Sequence, residues 1–273
     1  MLIVMNNALE KRGRDAASTD PRTEIRRRQY LDALGITRWE PRQAAVDPST
    51  VEVTETPTGC AAPAIVPVGP VSLEYPPNVE LDSRDWAELE AAVRSCTKCS
   101  LHATRTQTVF GVGHRRAQWM FIGEAPGGDE DRQGEPFVGR AGQLLNAILF
   151  AIGLKREEVY IANVLKCRPP GNRDPQPEEV IQCEPYLLRQ IELIKPRLIV
   201  ALGRHAAHSL LKTEVPLGKL RGQRLSYHGT PLIVTYHPAY LLRNPADKRK
   251  VWDDLCLAKT VIAAMPDPGR EKS

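Results

Sequence analysis

No segment of this 273-residue chain approaches the ~20 consecutive apolar residues that a membrane-spanning helix requires. The opening run Met1-Leu2-Ile3-Val4-Met5 is too short for the apolar stretch of an export signal, and no small-residue cleavage site follows it. The expectation is a cytoplasmic protein without membrane contact. With no export route, the six cysteines read as thiols and metal ligands rather than as disulfides. Strong charge of either sign is also lacking: 37 Lys and Arg stand against 33 Asp and Glu, a formal +4. That small excess is compatible with a phosphate-bearing partner. A hydrophobic share of 42% with 26% charged residues is ordinary for a soluble globular protein.

Periodicity is missing from residues 41–80, which hold eight of the 23 prolines among Thr, Val, Ala and Gly. This composition predicts an extended linker over 41–81. Residues 1–22 and 266–273 read as disordered tails, and 23–40 as a short amphipathic peptide. Order is expected to begin near Asp82-Ser83, where an N-cap opens a helix carrying Trp86, Leu89 and Val93 on one face and ending at Cys96. A single domain is then expected over 82–265.

Inside it, four apolar runs read as buried strands: Trp119–Ile122, Val159–Val164, Leu198–Leu202 and Leu232–Tyr236. Helical patterns at Ala141–Ile152, Glu178–Ile194, Ala206–Leu211 and Lys248–Ala264 alternate with them. The pattern predicts an α/β fold of three layers, a four-stranded parallel sheet covered by helices on both faces. Ligands bind such sheets at the carboxyl ends of their strands.

The cysteines supply one constellation. Cys96 and Cys99 form a C-x-x-C pair, and Cys167 and Cys183 follow far downstream with no evident histidine partner. An all-sulfur quartet suits zinc or an iron–sulfur cluster, and spacing does not separate the two. Cys256 reads as core and Cys60 as incidental.

Polar residues at the strand ends supply the other. Glu124, Asp129, Glu130 and Asp131 crowd the loop after the first strand, so a carboxylate or backbone N–H groups can be aimed at the sheet edge. Phe137 lies in a loop bounded by Gly and Pro, a place for a surface that stacks on a planar ring. Gly139-Arg140-Ala141-Gly142 opens a helix, whose N-terminus with Arg140 beside it suits a phosphate. Asn163 ends the second strand, where its amide can pair with the O4 and N3–H edge of a pyrimidine. His237 ends the last strand and can hydrogen-bond a developing oxyanion. Lys166, Arg168, Arg173 and Arg243 read as a basic rim for a phosphate backbone.

Together these blocks resemble family 4 uracil-DNA glycosylases, over about residues 84–264. The resemblance is carried by Gly123-Glu124-Ala125-Pro126-Gly127 with Glu130-Asp131, by Pro136-Phe137-Val138-Gly139-Arg140-Ala141-Gly142, and by Asn163-Val164-Leu165-Lys166-Cys167-Arg168-Pro169-Pro170 followed by Asn172-Arg173. His237-Pro238-Ala239-Tyr240-Leu241-Leu242-Arg243-Asn244 and the cysteine spacing complete it. It implies a 4Fe–4S cluster on Cys96, Cys99, Cys167 and Cys183, with zinc the lesser alternative. It also implies hydrolytic removal of uracil from single- or double-stranded DNA by a monomer working at the nucleoid, initiating base excision repair.

By that resemblance Phe137 stacks on uracil, Asn163 reads its edge, Ala125 and Asn172 belong to the substrate pocket, and His237 supports charge on uracil O2. Arg140, Lys166, Arg173 and Arg243 contact DNA. The related family 1 has Asp where this chain has Ala125, so the expected carboxylate is Glu130, or else Glu124. An iron–sulfur protein that binds DNA without excising a base is the alternative. A relative that traps uracil covalently is disfavoured, since its His-bearing insertion is missing between Asn172 and Cys183.

The peptide Thr23–Trp39 places Leu31 and Leu34 on one helical face, with Ile36 and Trp39 as further apolar anchors. It resembles the N-terminal peptide of the bacterial clamp-loader psi subunit through Leu34-Gly35-Ile36-Thr37-Arg38-Trp39. That likeness implies a clamp-loader or replisome contact through residues 23–40, tethered by the linker.

Overall fold

The computed structural model describes residues 86–266. The expected tail, peptide and linker over 1–81, the helix start at Asp82-Ser83, Cys60 and all but the first residue of the C-terminal tail lie outside these residues. The elements run as α1 (Trp86–Arg94), β1 (Val112–Gly113), β2 (Trp119–Gly123), α2 (Gly128–Gln133), α3 (Arg140–Ala151), β3 (Tyr160–Asn163), α4 (Pro177–Ile194) and β4 (Leu198–Leu202). Then come α5 (Arg204–Leu211), α6 (Leu217–Leu220), β5 (Leu225–Tyr227), β6 (Thr230–Thr235), α7 (Pro238–Arg243) and α8 (Lys248–Ala263).

The sheet has six strands in the order β1-β3-β2-β4-β6-β5. Its centre, β3-β2-β4-β6, is parallel, with Phe121 beside both Ile161 and Val200, and Val200 beside Ile233. These are the four expected strands. The expectation of four strands in all is corrected, because β1 and β5 pair antiparallel at the two edges. Two- and three-residue strands carry too little alternation to be read from sequence.

Alternation within the strands sorts the core onto two faces. Trp119, Phe121, Ile161, Val200 and Ile233 pack under Leu145 and Leu149 of α3 and Leu255 of α8. Met120, Ile122, Ala162, Ile199 and Val234 pack under Leu187 and Ile191 of α4 and Ala206 and Leu210 of α5. A smaller cluster joins Leu89 and Val93 of α1 to Leu101, Phe110, Leu165, Tyr186 and two cysteines. Cys256, expected in the core, is exposed on α8. Among the described residues no helix is long and apolar enough to cross a membrane.

β2 neighbours both β3 and β4, so the chain leaves it toward one edge and later returns to its other side. This reversal opens a crevice beyond the carboxyl ends of the strands. Gly123, Asn163, Leu202 and Thr235 are the strand residues that reach it.

Candidate active site

Gly123 is the point on which the crevice closes. A Cβ there would collide with Asn163 Oδ1 and come within 2.7 Å of Phe137 Cζ. The missing side chain thus lets an aromatic ring and an amide meet over the end of β2. Phe137 holds a left-handed backbone at φ 56°, an uncommon conformation for a bulky residue and one that often marks function. Gly142, in the first turn of α3, makes room for it: a Cβ at that position would collide with the Phe137 carbonyl. The Phe137 ring lies 5.5 Å from the His237 ring, centroid to centroid, at an interplanar angle of 30°.

Asn163 is 2% exposed, and its Oδ1 has no hydrogen-bond partner among the described residues. A buried unpaired acceptor costs about 1–3 kcal/mol, so a site that keeps one is shaped for a donor from a ligand. His237 caps α7: its Nδ1 accepts from Ala239 N at 3.1 Å. The ring proton therefore sits on Nε2. Burial, with help from Arg243 and His205, pushes the imidazole down to about 4. At neutral pH it is an uncharged donor.

Glu130 holds the loops in place. One carboxylate oxygen accepts from Gly127 N at 3.1 Å, and the other from Val138 N at 3.0 Å and Gly139 N at 3.3 Å. Its carboxylate thus joins the loop after β2 to the Phe137 loop, a different use from the water-orienting one expected. The neighbouring Asp131 is buried and accepts from Thr106 N at 2.9 and 3.1 Å. Arg156 donates to Pro136 O at 2.5 Å and so braces the Phe137 loop from its other end. Replacing Glu130 by Gln, which has one acceptor oxygen, is expected to lower single-turnover excision at least tenfold. A positioning role predicts that the pH–rate curve keeps its shape while dropping, which single-turnover rates across pH will check.

The second candidate carboxylate is Glu124. Burial and the charge of Asp174 push it up to about 7, against the opposing pull of Arg204. One ligand atom from each of Glu124, Asp174 and His205 lies within 4.8 Å of the others. Arg204 Nη2 stands 3.6 Å from Asp174 Oδ2 and 2.9 Å from His205 Nε2. Sequence reasoning missed Asp174, Arg204 and His205. The signal was present, since Gly203-Arg204-His205 leaves β4 as Glu124 leaves β2, and the strand-end rule was not applied to that strand. A Cβ at Gly203, at φ +91°, would lie 2.8 Å from His237 Cβ, so the β4 exit and His237 are in close packing.

The other expected contacts divide. Arg140 and Arg243 are exposed, at the start of α3 and the end of α7. Leu242 beside Arg243 is an exposed apolar residue that the sequence reading did not single out for DNA. Ala125 is partly buried against the α1 cluster. Lys166 is corrected: it is 1% exposed, with Nζ donating to Asn163 O at 2.9 Å and Gln190 Oε1 at 2.6 Å, and so is not on a rim. Arg173 is corrected too, because its guanidinium is spent on the buried Glu179 at 2.5 and 2.9 Å. Asn172 is exposed, and its Oδ1 accepts from Arg168 Nε at 2.7 Å, which fixes a loop and not a base.

The cysteines face one cleft. Cys96, Cys99, Cys167 and Cys183 line it with Val93, His102, Arg105 and Tyr186. Burial pushes the Cys183 thiol up to about 12 and the thiols of Cys99 and Cys167 upward as well. Thiolates at these positions therefore need a strong cationic partner. Donors already surround the sulfurs: Arg105 Nη1 reaches Cys167 Sγ at 3.1 Å, Lys166 N reaches Cys183 Sγ at 3.2 Å, and Lys98 N reaches Cys96 Sγ at 3.5 Å.

A crevice at a sheet's switch point, floored by a ring, a buried amide and a neutral imidazole, is a nucleobase-binding arrangement. The family model of the uracil DNA glycosylase superfamily matches residues 110–256, and the chain belongs to that family. Curated relatives narrow the class to its type-4 branch. A type-4 uracil-DNA glycosylase of Archaeoglobus fulgidus is 51% identical over 161 residues, 56% of this chain and 81% of that protein. That of Thermotoga maritima is 47% identical over 174 residues, 62% of this chain and 91% of its own length. That of Saccharolobus solfataricus is 45% identical over 183 residues, 64% and 85% respectively.

Proposed function

We propose that this chain removes uracil from DNA by hydrolysing its N-glycosidic bond, leaving an abasic site and opening base excision repair. The observation that carries the reading is that Phe137 and Asn163 meet over Gly123 with the His237 ring 5.5 Å from that of Phe137. A stacked base is inaccessible in a duplex, so the nucleotide must rotate out. Phe137 then stacks on the ring. Asn163 Oδ1 accepts from N3–H while the amide nitrogen donates to O4.

Bond lengthening leaves negative charge on the base and oxocarbenium character on the sugar. The Nε2–H of His237 meets the charge growing on O2, as a fixed donor in a dry site. Arg140 and Arg243 hold phosphates, and exposed Leu242 fills the space left in the stack. Incubation with a uracil-bearing oligonucleotide followed by alkali tests the reading. Strand breakage at uracil supports it, and retention without breakage favours binding alone.

The carboxylate that orients water is Glu124, with burial, Asp174 and Arg204 setting its charge. A base must be ionised, so excision should rise with pH through about 7 and fall below it, following the Glu124 carboxyl. Glu124→Gln should flatten that limb and lower the plateau about 10²–10⁴-fold, read from single-turnover rates between pH 5 and 9.

Cys96, Cys99, Cys167 and Cys183 would hold a 4Fe–4S cluster. The all-sulfur donor set and the N–H donors on the sulfurs support a thiolate-held metal centre, and the family likeness favours the cluster over zinc. Such a cluster supplies a clamp between α1 and the segment leading into α4. Contact with the clamp loader through residues 23–40, a monomeric state and work at the nucleoid belong to the same proposal, the first resting on the sequence likeness alone.

A further inference from the structure

Lys166 is a buried cation whose contacts the excision chemistry has not used. Its Nζ bridges Asn163 O, at 2.9 Å, and Gln190 Oε1, at 2.6 Å. Gln190 is fully buried and spends its amide nitrogen on Phe110 O at 2.9 Å and Tyr160 Oη at 3.2 Å. Lys166 is also stitched in through its main chain, donating to Cys183 Sγ at 3.2 Å and accepting from Val109 N at 2.8 Å. Among the described residues no carboxylate hydrogen-bonds its ammonium.

A buried charge without a counter-charge is costly. Thiolates holding a metal centre at Cys167 and Cys183 would supply the counter-charge, and the ammonium fixes the carbonyl of the residue placed to read the base. We infer that Lys166 is a positioning residue for uracil recognition, tying the end of β3 at Asn163 to α4 through Gln190 and to the cysteine centre through its charge and its own backbone. The inference rests on the excision reading above. It adds that Asn163 discriminates only while this strut holds its main chain. A strand end that shifts would carry the amide out of line with the O4 and N3–H edge, so uracil loses its two partners while cytosine, which offers the reverse donor and acceptor order along the same edge, has none to lose.

The test uses the full-length protein with its metal centre loaded. Binding is measured to two duplexes that differ at one site, 2′-fluorodeoxyuridine or 2′-fluorodeoxycytidine opposite guanine; the fluorine disfavours the oxocarbenium and blocks cleavage. The wild-type chain is expected to prefer the uracil duplex. Lys166→Met, of similar length and without charge, is expected to cut that preference at least tenfold while affinity for the cytosine duplex moves less than twofold. It should also release iron to a chelator several-fold faster. Gln190→Met keeps the ammonium but removes one acceptor, and should lose preference in the same direction to a smaller degree.

An unchanged uracil preference in Lys166→Met overturns the inference, and the same result in Gln190→Met does so if the first variant does not fold. A purely structural role would weaken both duplexes alike. Absence of any uracil preference in the wild type would instead overturn the excision reading itself.

Discussion

Replacing Asn163 by Leu will lower uracil excision roughly a thousandfold while the folded domain keeps or gains stability. Leucine has nearly the shape of asparagine and neither of its polar functions. The uracil edge then loses an acceptor for N3–H and a donor for O4, and both base groups enter a dry site unpaired. Sites built to hydrogen-bond a substrate discriminate by 10⁴–10⁵ when a partner is missing, so a thousandfold is a conservative figure for the enzyme's own loss. Stability should move the other way. The buried Asn163 Oδ1 has no partner within the described protein, and removing it relieves about 1 kcal/mol, or a melting-temperature gain of about 2–4 °C. Single-turnover kinetics and thermal melts on the same preparation will check both. Excision and stability falling together would show that Asn163 braces the strand end and does not read a base.

The second large effect is expected at Gly142. A methyl group there would collide with the Phe137 carbonyl, which is backbone and cannot swing aside. Gly142→Ala must therefore push the Phe137 loop outward or shift the first turn of α3. Either movement carries the ring off the floor of the crevice. Excision should fall about a hundredfold, since small misplacements of a positioned group cost that much. The fold should survive with a loss of about 1–3 kcal/mol, the usual range for overpacking. Gly218→Ala is the control: nothing lies within 4 Å of its added carbon, and alanine is the better helix former. Equal kinetics for the two variants would separate Phe137 from the reaction.

The parts of the molecule that were legible in the sequence were those governed by repetition. Four apolar runs with Val, Ile and Leu announced β2, β3, β4 and β6, and helical spacing placed α3, α4, α5 and α8 to within two residues at either end. Asn163, Phe137 and His237 were found because each stood out against its surroundings at a strand end or in a Gly- and Pro-bounded loop. Charge misled where burial decided. Lys166 and Arg173 looked like rim cations because basic residues in loops are usually solvated. Each is instead held from one helix, α4, by Gln190 and Glu179. A single helix 18 residues long can reach both, but no local pattern says which loop it will cover. The bracing contacts of Glu130 were not foreseen for a related reason, since a carboxylate three residues past Gly127 serves backbone N–H groups as readily as water.

The helix that begins at His237 has a mechanical consequence. It is six residues long, about 9 Å from end to end, with the imidazole locked to its first turn through Ala239 N and Leu242 and Arg243 at its far end. A rod that short does not bend. On the proposed roles, a push on Leu242 or Arg243 would move His237 with it, so gripping the nucleic acid and aiming the Nε2–H would be one movement of one stiff lever.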